Sequence, residues 1–549
     1  MFMKKSFVFM ISVLLLLASA FAVYAEDIVI LYTNDVHCAY QDNLGYSTVA
    51  ALKDFYKTLT PNVLLVDSGD AIQGDVIGVV SQGEYIIDFM NDAGYDYASL
   101  GNHEFDYGLD RLAELADMAD FVYVACNITY TGTESNKLGF LKPYAVHDFD
   151  DVKVGFVGVD APETLASSTP AFFKENGEFV YNFGQGENGA VLYSRVQDAV
   201  DACRAEGADY VILLAHLGTD EENAPYRSVD VIRNTHGIDA CLDAHSHSVI
   251  PAKYIANDRG ELIPLSSTGT KLQYIGILTI TEEGLLAMTI VNGELPKSAA
   301  FDEDAAEVTA AYEEVIHEVM AVSNVDLRIS DENGVRMVRA RETNLGDLVA
   351  DAYRSATGAD IAFVNGGGIR SNLDAGDLTY ADMMACHPFG NSIIAIRATG
   401  QQILDALEWG SRAAQAEYKD AEGNPVGEIG QFVHVSGLRY TINTSVGSPA
   451  IADANSMFFG MIEDAPYRVS DVEVEKDGEW VPLDTEAEYI LAGHDYMLLK
   501  QGGGFTMFEG DELILDSGIP DYQVLVNLIV SFDGDLSAYA EPQGRITIK

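Results

Sequence analysis

Gly101-Asn102-His103-Glu104-Phe105-Asp106 follows a strand expected over Tyr95 to Leu100, and its reading decides the fold. Asn102 offers an amide oxygen to a cation, His103 an imidazole that can carry a proton, and Asp106 a carboxylate that can orient that ring. Alone, such a loop is also an ordinary turn, because Asn and Asp favour turns for reasons of their own. Other apolar runs end the same way, however. Asp27 to Thr33 leads into Asn34-Asp35-Val36-His37, and Val63-Leu64-Leu65-Val66 opens into Asp67-Ser68-Gly69-Asp70. Tyr210 to Ala215 ends at His216-Leu217-Gly218, and Ile238 to Ala244 ends at His245-Ser246-His247. Thr48 to Tyr56 and Glu84 to Ala93 have helical spacing between these runs, so strand and helix alternate and an α/β domain is expected. A parallel sheet gathers its strand ends along one edge.

Asp35, His37, Asp70, Asn102, His216, His245 and His247 thereby become one set of candidate metal ligands. Seven nitrogen and oxygen donors are about the number that two divalent cations sharing a carboxylate need. In extended backbone Asp35 and His37 share a face and can reach one cation. Gly69 lets the chain turn so that Asp70, with two oxygens, projects past its strand and can bridge two cations.

At 549 residues the chain exceeds what one core usually serves, so two domains are expected. Lys4 and Lys5 precede an apolar run from Phe7 to Phe21 that closes on Val23-Tyr24-Ala25, which reads as a signal peptide over residues 1–25. An exported protein, periplasmic or extracellular and without a stable membrane anchor, is the expectation. The formal charge of −53, from 85 acidic and 32 basic residues, opposes nucleic-acid polymers and anionic membranes but not a small phosphate ligand in one pocket. The five cysteines form no CxxC pattern, so a zinc ribbon is not indicated and buried free thiols are expected.

Strands around Leu272 to Val291 are expected to finish the second sheet of the first domain, residues 26–297, before a connecting helix over 298–322. The second domain, 323–549, opens with Arg339-Ala340-Arg341 and a helix from Leu345 to Thr357. Its strand Asp360 to Val364 enters Asn365-Gly366-Gly367-Gly368-Ile369-Arg370. Glycines permit close backbone approach to a ligand, and Arg370 can clamp a carboxylate or phosphate. Phe389, near Gly390, and Phe505, after Gly502-Gly503-Gly504, could sandwich a flat base, with Asp511 following.

Five ordered motifs, Thr33-Asn34-Asp35-Val36-His37, Asp67-Ser68-Gly69-Asp70, Gly101 to Asp106, His216-Leu217-Gly218 and Ala244-His245-Ser246-His247, resemble those of calcineurin-type metallophosphatases. Their order and spacing are similar to the 5′-nucleotidase and UDP-sugar hydrolase branch. The second half resembles the substrate-binding C-terminal domain of the same family. The resemblance implies an α/β fold: a four-layer αββα metallophosphatase sandwich, the connecting helix, and an α/β substrate-binding domain. It also implies that Asp35, His37 and His247 hold one metal, that Asn102, His216 and His245 hold the other, and that Asp70 bridges them. His103, steadied by Asp106, would stabilise the transition state or protonate the leaving oxygen. Zinc, manganese and cobalt all suit such donors. Arg339 and Arg370 would grip phosphate, with Arg341 beside them. Asn365 and Asp511 would bond the nucleoside, and Phe389 and Phe505 would stack on the base. Gly503 departs from the family, which commonly carries Asp there. The implied activity is hydrolysis of nucleoside 5′-monophosphates, with UDP-sugars as a further substrate. The alternatives are a 2′,3′-cyclic-nucleotide phosphodiesterase and 3′-nucleotidase, or a catalytically dead nucleotide-binding or adhesive protein.

Overall fold

The computed structural model describes residues 23–549 except 422 and 477. The expected signal peptide lies outside the described residues apart from 23–25. Among the described residues no helix is long and apolar enough to cross a membrane. The chain divides into two compact units, one running to Thr164 and resuming over Phe172–Ala311, the other taking in Leu165–Ala171 and Tyr312–Lys549.

The first unit has two six-stranded sheets. In one, Ile28–Thr33, Val63–Asp67, Tyr97–Ser99 and Val122–Val124 run parallel in that order. In the other, Val152–Asp160, Tyr210–His216, Ala240–Asp243 and Leu262–Thr268 are parallel neighbours, edged by the antiparallel strands Tyr144–Phe149 and Val249–Ala256. Alternation along each strand sets the layers. Ile28, Ile30 and Tyr32 of one sheet share a core with Ile212 and Leu214 of the other. The intervening Val211, Leu213 and Ala215 turn the opposite way, onto Val196, Val200 and Cys203 of the helix Ala190–Ala205. Helix Gly45–Lys57 covers the first sheet at Val63–Asp67 and buries Val49 and Leu52. The result is the helix, sheet, sheet, helix stack that the family resemblance implies. Cys38, Cys203, Cys241 and Cys386 are buried free thiols.

One placement differs from the sequence reading. Ile275–Ile280 and Leu286–Val291 join the first sheet rather than the second, because Ile28 pairs antiparallel with Ile280 and Tyr32 with Gly276. Gly276 is required there, since a Cβ would collide with the Tyr32 ring. The connecting segment differs too. Two helices, Ala299–Asp304 and Ala306–Ile316, stand where one was expected, and Val319–Ser323 is a strand paired with Gly376–Thr379. Only Ala321 to Ser323 alternates, with Ala321 and Ser323 buried and Val322 exposed, while Val319 stays exposed across a register shift, so pairing with Gly376–Thr379 rather than the local pattern ends the helix.

In the second unit a five-stranded sheet carries, in order, Val433–Ser436, Ile361–Asn365, Glu488–His494, Ser392–Thr399 and Glu512–Pro520. Ala362 and Val364 face a core with Leu345, Leu348 and Val349 of the helix Asn344–Thr357. Ile361 and Phe363 face another with Ile403, Ala406 and Leu407 of Gly400–Ser411. Thr343 and Thr399 cap those two helices by accepting from Gly346 N and Gln402 N.

Candidate functional site

Register brings the metal-type loops of the first unit together. Thr33 lies opposite Asp67, Asp67 opposite Ala98, Ala215 opposite Asp243, and His216 opposite Asp160, so the following loops leave from matching strand ends. Backbone bonds then cross-link them: Gly69 O accepts from Asp35 N at 3.0 Å, and Asp70 O from His37 N at 2.9 Å. Asp35, His37, Asp70, His245 and His247 all adopt positive φ, between 47° and 76°. The extended backbone expected at Asp35 and His37 is therefore absent. Left-handed conformation is costly for such side chains and persists where surrounding structure holds it, commonly at functional sites.

The side chains converge. Asp35, His37 and His247 offer ligand atoms within 4.8 Å of one another, as do Asp70, His216 and His245. His37 Nε2 is 3.0 Å from His247 Nε2, and His245 Nδ1 is 3.2 Å from His216 Nε2. Asp70 Oδ2 stands between the groups, 3.2 Å from His216 Nε2 and 3.8 Å from His37 Nε2. Backbone carbonyls orient the rings: His37 Nδ1 donates to Gln73 O at 2.8 Å and His216 Nδ1 to Ser68 O at 2.9 Å, which directs each Nε2 to the cluster. Burial opposes ionisation of Asp70, yet the charges of His216, His103 and His37 hold its carboxyl well below the usual range.

The donor set fits divalent cations, and Asn102 supplies the sharpest test. Its side-chain Oδ1 is buried and has no hydrogen-bond partner among the described residues. A buried amide oxygen left this way costs roughly 1–3 kcal/mol unless something electropositive meets it.

His103 stands beside this cluster with Nδ1 2.6 Å from Asp106 Oδ2. A third close grouping joins His103 to His37 and Asp70. Two residues escaped the sequence reading as participants. Glu104, fully buried, accepts from Asp70 N at 2.8 Å, Ala71 N at 2.7 Å and Gly101 N at 2.7 Å, locking the Asp70 loop to the Asn102 loop. Glu163 Oε1 is 2.6 Å from His245 Nε2 and so aims Nδ1 of that ring at His216. Nothing local to Glu163 announces this role, which depends on an 82-residue separation closing in space.

The second unit divides its candidates. Arg370 lies over the Phe389 ring at 5.8 Å, and Phe389 is half-buried. Among the described residues Arg339 forms no ion pair, and burial together with the Arg336 and Arg370 charges pushes its guanidinium well below the usual range. Asn365, almost buried, opens the glycine loop. The other candidates are engaged in structure. Arg341 donates to the carbonyls of Ala340, Gln415 and Ala416 at 2.7 to 2.8 Å and lies over Tyr418. Phe505 is 1% exposed in an apolar core with Trp409 and Phe508. Asp511 accepts twice from Gln402 Nε2 at 2.9 Å.

Strand-end carboxylates and imidazoles gathered on a two-sheet α/β scaffold make a donor set suited to divalent cations. Residues 28–249 match the calcineurin-like phosphoesterase family and 319–510 match the 5′-nucleotidase C-terminal domain. A trifunctional nucleotide phosphoesterase of Bacillus subtilis is 25% identical over 95% of this chain, which spans only 35% of that relative. A venom 5′-nucleotidase of Gloydius brevicauda is 26% identical, covering 95% of this chain and 87% of its own. The crystal structure of a 5′-nucleotidase precursor from Thermus thermophilus, 26% identical, superposes with a TM-score of 0.76 over 95% of this chain and 99% of that one. The chain thus carries a calcineurin-like phosphoesterase domain followed by a 5′-nucleotidase C-terminal domain, and it is similar to 5′-nucleotidases over 95% of its length.

Proposed function

We propose that this chain is an exported phosphohydrolase that releases phosphate from nucleoside 5′-monophosphates, with UDP-sugars as a second substrate class. The observation that carries the reading is Asn102 Oδ1, buried without a partner among the described residues, next in sequence to His103, whose backbone N–H donates to Asp70 Oδ1 at 2.9 Å. Asp35, His37 and His247 would hold one cation and Asn102, His216 and His245 the other, with Asp70 shared. Two divalent cations in such a site supply neutralising charge and a water acidic enough to attack phosphorus at neutral pH. Zinc, manganese or cobalt suits these ligands.

The residues of the chain supply the rest. Asp106 fixes His103 through Nδ1, so the proton given to the leaving oxygen is the one on Nε2. Arg339 and Arg370 repel each other electrostatically, and a phosphate removes that repulsion. Phe389, with Arg370 over its ring, offers a face to the base. Assay of phosphate release from AMP, 3′-AMP, 2′,3′-cyclic AMP and UDP-glucose by metal-loaded protein tests the reading. AMP should be the best of the four. Faster turnover of 3′-AMP or the cyclic nucleotide would replace it with the phosphodiesterase reading.

A further inference from the structure

Beneath the glycine loop of the second unit lies a polar group that the function above does not use. His494 is 1% exposed, at the end of the strand Glu488–His494. Its Nε2 is 2.7 Å from Asn365 Oδ1, while Asn365 Nδ2 donates to Gly430 O at 3.1 Å. The loop is shaped around this amide. A Cβ on Gly366 would collide with the Val338 carbonyl, and a Cβ on Gly368 would lie 3.0 Å from Asn365 Oδ1.

The tautomer of His494 follows from its other nitrogen. His494 is the N-cap of the short helix Asp495–Leu498, where Nδ1 accepts from Met497 N at 3.2 Å. A neutral imidazole carries one proton, so that proton sits on Nε2 and points at Asn365 Oδ1. Burial keeps the ring neutral, pushing its pKa down to about 4. Turning the Asn365 amide over would oppose N–H to N–H at His494 and oxygen to oxygen at Gly430. Two such mismatches in buried surroundings exclude the flipped amide. One N–H of Nδ2 is spent on Gly430, and the second is left to donate.

We propose that His494 is a positioning residue that fixes the Asn365 amide as a hydrogen-bond donor, so that the site selects bases presenting an acceptor, a ring nitrogen or carbonyl oxygen, at that point. The inference rests on the reading of Asn365 as a nucleoside contact. It assigns specificity to a residue that does not itself reach the ligand.

The test compares kcat/KM for AMP with that for ribose 5-phosphate, which keeps the phosphate and sugar and lacks the base. His494→Asn retains a capping side chain for Met497 N but is too short to reach Asn365. It should lower the AMP to ribose 5-phosphate ratio by roughly five- to tenfold, through KM, the size of one lost hydrogen bond. Asn365→Ala should lower the ratio similarly, and the double variant should fall no further than either single one. His494→Gln, which reaches farther and restores a donor, should recover part of the loss; it also carries the test should His494→Asn fold poorly by thermal unfolding. An unchanged ratio in Asn365→Ala would overturn the nucleoside contact and the proposal with it. A lowered ratio in Asn365→Ala with a wild-type ratio in His494→Asn, or full additivity in the double variant, would overturn the role of His494 alone.

Discussion

The strand ends of the first unit and the loops of the second present their candidates differently. In the first, Asp35, His37, Asp70, His216, His245 and His247 all turn inward on one cluster, several held in left-handed backbone that only a tightly bonded scaffold sustains. In the second, Arg370 lies over the Phe389 ring and Asn365 is bonded to His494 and Gly430, while Arg341 donates to carbonyls, Phe505 packs in an apolar core and Asp511 accepts from Gln402. Residues needed for metal chemistry must meet at one point. Residues that recognise a substrate can be fewer, supported by neighbours that look chemically alike in sequence.

The hardest blow to this contrast falls at Asp70. If its carboxylate joins the two halves of the cluster, Asp70→Ala loses both cations together and phosphate release drops to background, whereas His37→Ala weakens mainly one. Metal analysis of purified protein decides it: a count near two per chain in Asp70→Ala would break the assignment.

His103 separates proton handling from metal holding. His103→Ala should lower kcat by about 10²–10⁴-fold while metal content stays at the wild-type level. Its membership of a close grouping with His37 and Asp70 gives this experiment its edge, because metal loss would move His103 into the ligand set.

The two phenylalanines sharpen the contrast inside the second unit. Phe505→Ala empties a packed core and should cost about 3–5 kcal/mol of stability, read by urea unfolding. Phe389→Ala should leave stability nearly intact and weaken AMP relative to para-nitrophenyl phosphate by about 1–3 kcal/mol, by analogy with base stacking elsewhere. Reversed outcomes would make Phe505 the platform and Phe389 the structural ring.

What was legible in sequence follows the same division. Strand-end motifs could be read because each ligand lies within a few residues of an apolar run, and parallel pairing brings those ends together with few alternatives. The layers were legible through period two, as in Ile28, Ile30 and Tyr32. Three things were not. Ile275–Ile280 is as apolar as any central strand, and its sheet is chosen by an antiparallel register with Ile28–Thr33 that no local signal encodes. Val319–Ser323 continues a helical pattern until its pairing with Gly376–Thr379 is known. Glu163 and His494 act by orienting other side chains 82 and 129 residues away, and their own neighbours in sequence carry no mark of it.

The smallest expected effect runs against the usual sign. Arg339 is partly buried beside Arg336 and Arg370, and Glu428, the nearby carboxylate, is already bound by Arg336 at 2.8 Å. An arginine kept there without an anion weakens the unliganded protein, as functional sites commonly do. Arg339→Gln should therefore raise stability in phosphate-free buffer by about 0.5–2 kcal/mol. Phosphate should stabilise the wild type by binding only the folded state, and that gain should vanish in the variant. Arg341→Gln, which loses carbonyl contacts and no repulsion, should be destabilised and keep the phosphate response. Thermal unfolding across a phosphate titration reads all three proteins. Should Arg339→Gln unfold earlier than wild type, or respond equally to phosphate, Arg339 belongs with Arg341 as a structural residue, and anion recognition falls to Arg370 alone.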